Sequence, residues 1–264
     1  MRLTSSGSHE YGYLAILVNC LFICVLNAVD LSEKLPPKGP LGVRLDYELA
    51  TVGTGDEPPN YAVGSKMLVF STHLTFNEPV SSITNGQLAQ MLSDAWYEMG
   101  ADGQQYDFGD TRLPSIMTFF AFGNEVILSS SQKGPSFTYD YSNSPVKESL
   151  ALCMAVWKEQ TGEEKRHDRG GACGEIMCAH QYYQLHNTPL KDAKVRALTA
   201  IYLKPKKKIT FIPECGTGQQ ADWGCNLFVA QNNIDYLALD TKKEPYNINT
   251  VAGGVRKIDQ IRMC

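Results

Sequence analysis

The sequence predicts an α/β fold. Three observations lead there: a strongly capped amphipathic helix opening at Thr84, a β-hairpin pattern over residues 115–130, and a later half in which helical stripes alternate with a long apolar strand. With 264 residues, 43% of them hydrophobic and 20% charged, the chain can bury a sizeable core.

The elements are taken in order from the N-terminus. Residues 13–29, YLAILVNCLFICVLNAV, form the one long apolar run. It follows Arg2 and ends in Leu26-Asn27-Ala28, a small-residue junction, so residues 1–28 read as a signal peptide, with an uncleaved anchor as the alternative. The run is seventeen residues long with Asn19 inside, which is short for a membrane span. The reading implies a secreted chain with no stable membrane association after cleavage; without a working signal the chain would be cytoplasmic. Pro36, Pro37 and Pro40 mark a linker, and residues 29–82 read as an N-terminal extension. It carries β-prone runs over 41–52 and 66–72, separated by the turn-rich GTGDEPPN.

From residue 83 the local signals strengthen. Thr84 at the N-cap and Gln87 three residues later form a capping box, and Ile83 and Leu88 stand where a hydrophobic staple packs. Leu88, Met91, Leu92, Ala95, Trp96 and Met99 keep a helical period, and Gly100 is the expected stop. Residues 115–122 and 125–130 read as strands joined across Gly123-Asn124. Ser144 is an N-cap with Pro145 at the first helical position, and Val146, Leu150, Cys153, Met154 and Trp157 make the next stripe. His167–Gly171 reads as loop, Ala172 to about His186 as helix and Val195–Leu203 as a buried strand. The run ITFIP at 209–213 precedes Cys215, and a last helix is expected to open at Cys225.

Charge excludes one class of partner and leaves others open. A net charge of −4 gives no general attraction to nucleic acid or to anionic membrane. The basic run at 204–208 reads as a solvated turn between strands. Removal of residues 1–28 takes Cys20 and Cys24 with it and leaves six cysteines: 153, 173, 178, 215, 225 and 264. An even count in a secreted chain suggests disulfides, so three bridges are one reading of these residues.

The other reading is a metal. Zinc takes three or four N, S or O ligands in a tetrahedron, and a catalytic site leaves one position open. Thiolates are favoured at helix starts, where free N–H groups and the helix dipole stabilise negative charge. Cys173 stands at such a start, and Cys215 and Cys225 precede and open the next helix. Glu175 follows Cys173 by two residues, so it can face the same point without ligating it, as a general acid–base group must. The plainer alternative is an acid that only favours the helix dipole.

Here the chain resembles a family. Cys173-Gly174-Glu175 looks like the [HC]-x-E motif of the zinc-dependent nucleobase and nucleoside deaminases, and Pro213-Glu214-Cys215 with Cys225 looks like their P-C-x-x-C motif. The likeness spans roughly residues 83–240 and is nearest to divergent, toxin-like branches. It implies a three-layer cytidine-deaminase-like domain over 83–264, a central mixed sheet flanked by helices. It further implies Zn2+ held by Cys173, Cys215 and Cys225, Glu175 as proton shuttle, and hydrolytic deamination of a nucleobase-containing substrate, free or in nucleic acid. Two departures stand out. Nine residues separate Cys215 from Cys225 where the family has two, and Glu214 intrudes between Pro213 and Cys215. The segment 216–224 must therefore bulge out and return.

Two rivals belong to other classes. One is a disulfide-stabilised secreted binding or effector protein without chemistry. The other is a cysteine hydrolase using Cys173, which needs His167, His180 or His186 beside the thiol. His180, two turns beyond Cys173, reads as an ordinary helix residue. Trp223 is either a packed loop residue or a wall on which a base could stack. Ser129, Ser130 and Ser131 read as solvated turn serines.

Overall fold

The computed structural model describes residues 30–51, 66–109, 111–140, 144–218 and 222–263. The signal-peptide reading of residues 1–28, the GTGDEPPN turn and Cys264 lie outside them. Eight strands and five helices are present among the described residues. The strands are β1 (Arg44–Leu45), β2 (Phe70–Phe76), β3 (Ile116–Phe122), β4 (Glu125–Ser130), β5 (Arg196–Leu203), β6 (Lys208–Ile212), β7 (Asp235–Tyr236) and β8 (Val255–Asp259). The helices are α1 (Tyr47–Thr51), α2 (Asn85–Gln105), α3 (Pro145–Thr161), α4 (Gly174–Leu185) and α5 (Cys225–Gln231).

The strands form one sheet in the order β1-β2-β4-β3-β5-β6, with β8 beside β2 and β7 beside β5. Every pairing is antiparallel except β5 with β7, so the sheet is mixed. The period of two along β3 sorts its side chains between two cores. Met117, Phe119 and Ala121 join Leu88, Met91, Leu92 and Met99 of α2. Phe120 and Phe122 join Val146 and Leu150 of α3, Ile176 and Met177 of α4, and Phe228 of α5. Helices thus cover both faces, compatible with a three-layer α/β arrangement.

The expected elements from 116 to 231 are found within a residue or two of the sequence reading; α2, the 41–52 run and the 66–72 run differ, the last being a strand over Phe70–Phe76. Helix α2 has the full capping box: the Gln87 N–H donates to Thr84 Oγ1 and the Thr84 N–H to Gln87 Oε1, each at 3.1 Å. It continues past Gly100 to Gln105, because tertiary bonds reward the extra turn. Asp102 accepts from the Leu45 N–H at 2.8 Å, one turn beyond Glu98, which accepts from the Leu41 and Val43 N–H groups. The described part of the 41–52 run, residues 41–51, is mostly not strand: after β1 it turns into α1. The Asp46 carboxylate, which receives the Leu49 N–H at 3.1 Å, favours that helical start.

Residues 41–51 and 66–76, part of the segment read as an extension, are built into the core. Leu41, Val43, Phe70 and Leu74 are fully buried, and β2 lies inside the sheet between β4 and the β1 and β8 strands. Ser129 and Ser130 correct the turn reading, since both are fully buried in β4 and Ser130 Oγ accepts from the Phe70 N–H at 3.0 Å. The basic run occupies the turn between β5 and β6, as expected. No described helix is long and apolar enough to cross a membrane.

Candidate metal centre

Three chain segments deliver donors to one point. Cys173 is the N-cap of α4, a helix buried from Gly174 through Tyr182 because the sheet covers one side and α3 and α5 the other. The close fit requires glycine after Cys173: a Cβ at Gly174 would run into Thr118 on β3. Cys225 is the first residue of α5, and Cys215 follows β6 by way of Pro213-Glu214.

The long Cys215–Cys225 connection closes as it must. The Asn226 N–H donates to the Cys215 carbonyl at 3.0 Å, and the Cys225 N–H donates to Cys215 Sγ at 3.1 Å. A Cβ on Gly224 would lie 2.5 Å from Cys215 Sγ and 2.6 Å from its carbonyl oxygen, so only glycine lets the two thiols meet.

The fourth donor is His167. Its Nε2 lies 3.3 Å from Cys225 Sγ and 3.7 Å from Cys215 Sγ, and Cys173 Sγ lies 3.4 Å from Cys215 Sγ. All four donor atoms lie within 4.8 Å of one another, and only Cys215 is more than slightly exposed. Tetrahedral bonds of about 2.0–2.3 Å place ligand atoms about 3.3–3.8 Å apart, so the cluster could hold a metal ion of zinc-like character.

His167 was legible only as a possible base for a thiol. Its approach comes from loop geometry: the Tyr139 hydroxyl accepts from the His167 N–H at 3.1 Å, and the Trp223 ring packs edge-on at 5.4 Å. The spacing of His167 six residues before Cys173, within a glycine-rich loop, is the sequence signal that could have found it. Trp223 itself is fully buried and its indole N–H donates to the Lys165 carbonyl at 2.8 Å, so it supports His167 and walls no open pocket.

Glu175 sits on the first turn of α4 and is 3% exposed. Its Oε1 accepts from Thr199 Oγ1 on β5 at 2.8 Å, and the Tyr236 hydroxyl on β7 lies 3.4 Å away. Thr199 is held in turn by Thr118 at 2.8 Å. Burial pushes the Glu175 carboxyl above the usual carboxylate range, helped by negative charge on Cys215. The Cys215 thiol is held well below its usual range, first by the hydrogen bond with Cys173 and then by those with Cys225 and His167. Burial drives Cys225 the other way.

The remaining sequence candidates stay apart. His180 is buried with Nε2 3.3 Å from Thr138 Oγ1, and burial lowers its pKa to about 4. His186 caps the far end of α4, its Nε2 3.2 Å from Glu125. Cys153 Sγ donates to Gln231 and Cys178 Sγ to the Thr118 carbonyl. The five described cysteines are all free thiols. No family model, curated protein or solved structure matches the chain.

Proposed function

We propose that the chain is a zinc-dependent hydrolase that removes the exocyclic amine of a nucleobase, free, in a nucleoside or in nucleic acid. One observation carries the reading: a deeply buried glutamate, Glu175, beside three converging thiols on a helix that Cys173 opens. The order helix, hairpin, Cys-x-Glu helix, strand and cysteine-led helix supports it, because that is the order implied by the likeness to cytidine-deaminase-like enzymes.

A zinc ion held by Cys173, Cys215 and Cys225 would supply the Lewis acidity that makes water nucleophilic near neutral pH. Glu175 would do the rest through its carboxylate. It takes one proton from the attacking water and gives it to the ring nitrogen, as the water oxygen bonds to the amine-bearing carbon. It then carries the second proton to the amine, the C–N bond breaks, and ammonia leaves as the carbonyl forms. The Thr199 hydroxyl fixes Oε1 for both transfers, since a carboxylate anchored by one oxygen keeps the other free to face the substrate.

A second reading is favoured by His167. If its Nε2 joined the three thiols, a zinc here would have four protein donors, which is the pattern of a structural site in a binding or effector protein. The disulfide version of that protein is less well supported, because three thiols and an imidazole meet at one point and a bridge would strand the third cysteine. Secretion remains our reading of residues 13–29; zinc would then shield the thiolates from oxidising surroundings.

The test is ammonia release from cytidine, deoxycytidine, adenosine, guanine and single-stranded DNA. Glu175→Gln should keep fold and zinc yet lose on the order of 10²–10⁴ in rate. Full activity in that variant would remove Glu175 from the chemistry, and no release from any base by the zinc-loaded wild type would favour the binding protein.

A further inference from the structure

We infer that His167 is not a fourth ligand but an N–H donor to the thiolates of Cys225 and Cys215, so that a metal held here keeps one open position. This rests on the metal reading above and not on the deamination chemistry.

The separations around Nε2 do not decide the matter. At 3.3 Å from Cys225 Sγ and 3.7 Å from Cys215 Sγ, Nε2 is placed as well for an N–H···S bond as for sharing an ion with them. The other ring nitrogen decides it. Nδ1 accepts the Arg169 N–H at 3.1 Å and is approached by the Gly171 N–H at 3.4 Å. A neutral imidazole carries one ring proton, and a nitrogen that accepts cannot hold it. The proton therefore sits on Nε2, where it points at the thiols.

A ligating histidine shows the opposite pattern. It binds metal through one bare nitrogen and donates the other N–H to a carboxylate, carbonyl or water. The loop here is folded the other way round. The Gly170 N–H returns to the His167 carbonyl at 2.8 Å and the Gly171 carbonyl accepts from Thr138 Oγ1 at 2.8 Å, which turns backbone donors inward onto Nδ1. With Tyr139 holding the His167 backbone and Trp223 against the ring, an imidazole flip would leave those donors unpaired in a buried site.

The arrangement also solves an electrostatic problem. Three thiolates around a divalent cation carry a net charge of −1 in a buried place, and each N–H donated to sulfur spreads that charge. The Cys225 N–H already does so for Cys215. His167 supplies the second such bond without occupying the metal. It is a positioning residue, acting through sulfur.

The experiment uses the full mature chain loaded with zinc or with cobalt(II). X-ray absorption at the metal edge should show three sulfurs and lack the outer-shell pattern of an imidazole ring. Nitrogen-15 NMR of labelled histidine should find the His167 proton on Nε2. A small anion such as thiocyanate should shift the cobalt spectrum by entering the open position. His167→Gln, which retains an N–H donor, should keep one metal per chain with the same three-sulfur signature. An imidazole pattern, a metal-bound Nε2 or a cobalt spectrum indifferent to added anion would overturn the inference while leaving the metal centre standing. A folded wild type that binds neither metal would overturn both.

Discussion

At the scale of single residues, the site is held by atoms that are missing as much as by those present. Gly224 has no Cβ, and that lets Cys215 and Cys225 share a point despite nine intervening residues. Gly224→Ala should therefore weaken metal binding by about 10–100-fold, the scale of a disturbed supporting shell. Competition with a chelator measures it, and unchanged affinity would show that the connection has room to move. Cys173 and Glu175 were legible because two chemistry-bearing residues stand together at a helix start. Thr199 and Tyr236 were not, because they reach Glu175 only through strand pairing, across 24 and 61 residues. His167 was legible as a histidine and not as a partner of three thiols, since its position depends on a loop turned by contacts with Tyr139 and Trp223.

At the scale of elements, α2 is where sequence and structure can be compared most closely. Its start was set locally by the Thr84–Gln87 box; its end was set by tertiary bonds that no local pattern contains. Thr84→Ala should cost about 1 kcal/mol, because the Gln87 N–H loses its acceptor, and a denaturation midpoint measures it. Asp102, on the turn beyond Gly100, gives the helix a pH signature. Burial raises its pKa from 3.8 to about 6, against the opposing hydrogen bonds from Leu45 and Gln105. The folded state then holds the proton more tightly than the unfolded chain, so this contribution is complete below pH 4 and is lost as pH rises to 6. The change is on the order of 3 kcal/mol, from the difference between 3.8 and about 6 for a fully buried carboxyl. Asp46 and Glu98 are raised by burial too and act with the same sign. Asp102→Asn should flatten the stability profile between pH 4 and 6, and an unaltered slope there would assign it to other groups.

At the scale of the whole molecule, the sheet joins what the sequence divided. The helix–hairpin–helix–strand–helix order after residue 83 was readable because each element carries its own period and caps. The place of β2 was not, since a strand buried on both faces, as Phe70–Phe76 is, gives no alternation to read. A chain beginning at residue 83 would lose β1, β2 and the backbone groups that Glu98 and Asp102 accept from. It should fail to fold cooperatively, whereas a chain beginning at Val29 retains every described element. Thermal unfolding followed by circular dichroism compares the two, and a cooperative transition in the shorter chain would make the first strands dispensable.

The account as a whole depends on metal held by Cys173, Cys215 and Cys225 beside His167, and the most direct measurement is elemental analysis of the folded protein purified without chelator. The expected result is about one zinc per chain, as one cluster of converging thiols implies, lost when Cys173, Cys215 or Cys225 is replaced by serine. Folded, metal-free protein with these three cysteines oxidised would contradict the account and leave Glu175 an acid at the start of a helix.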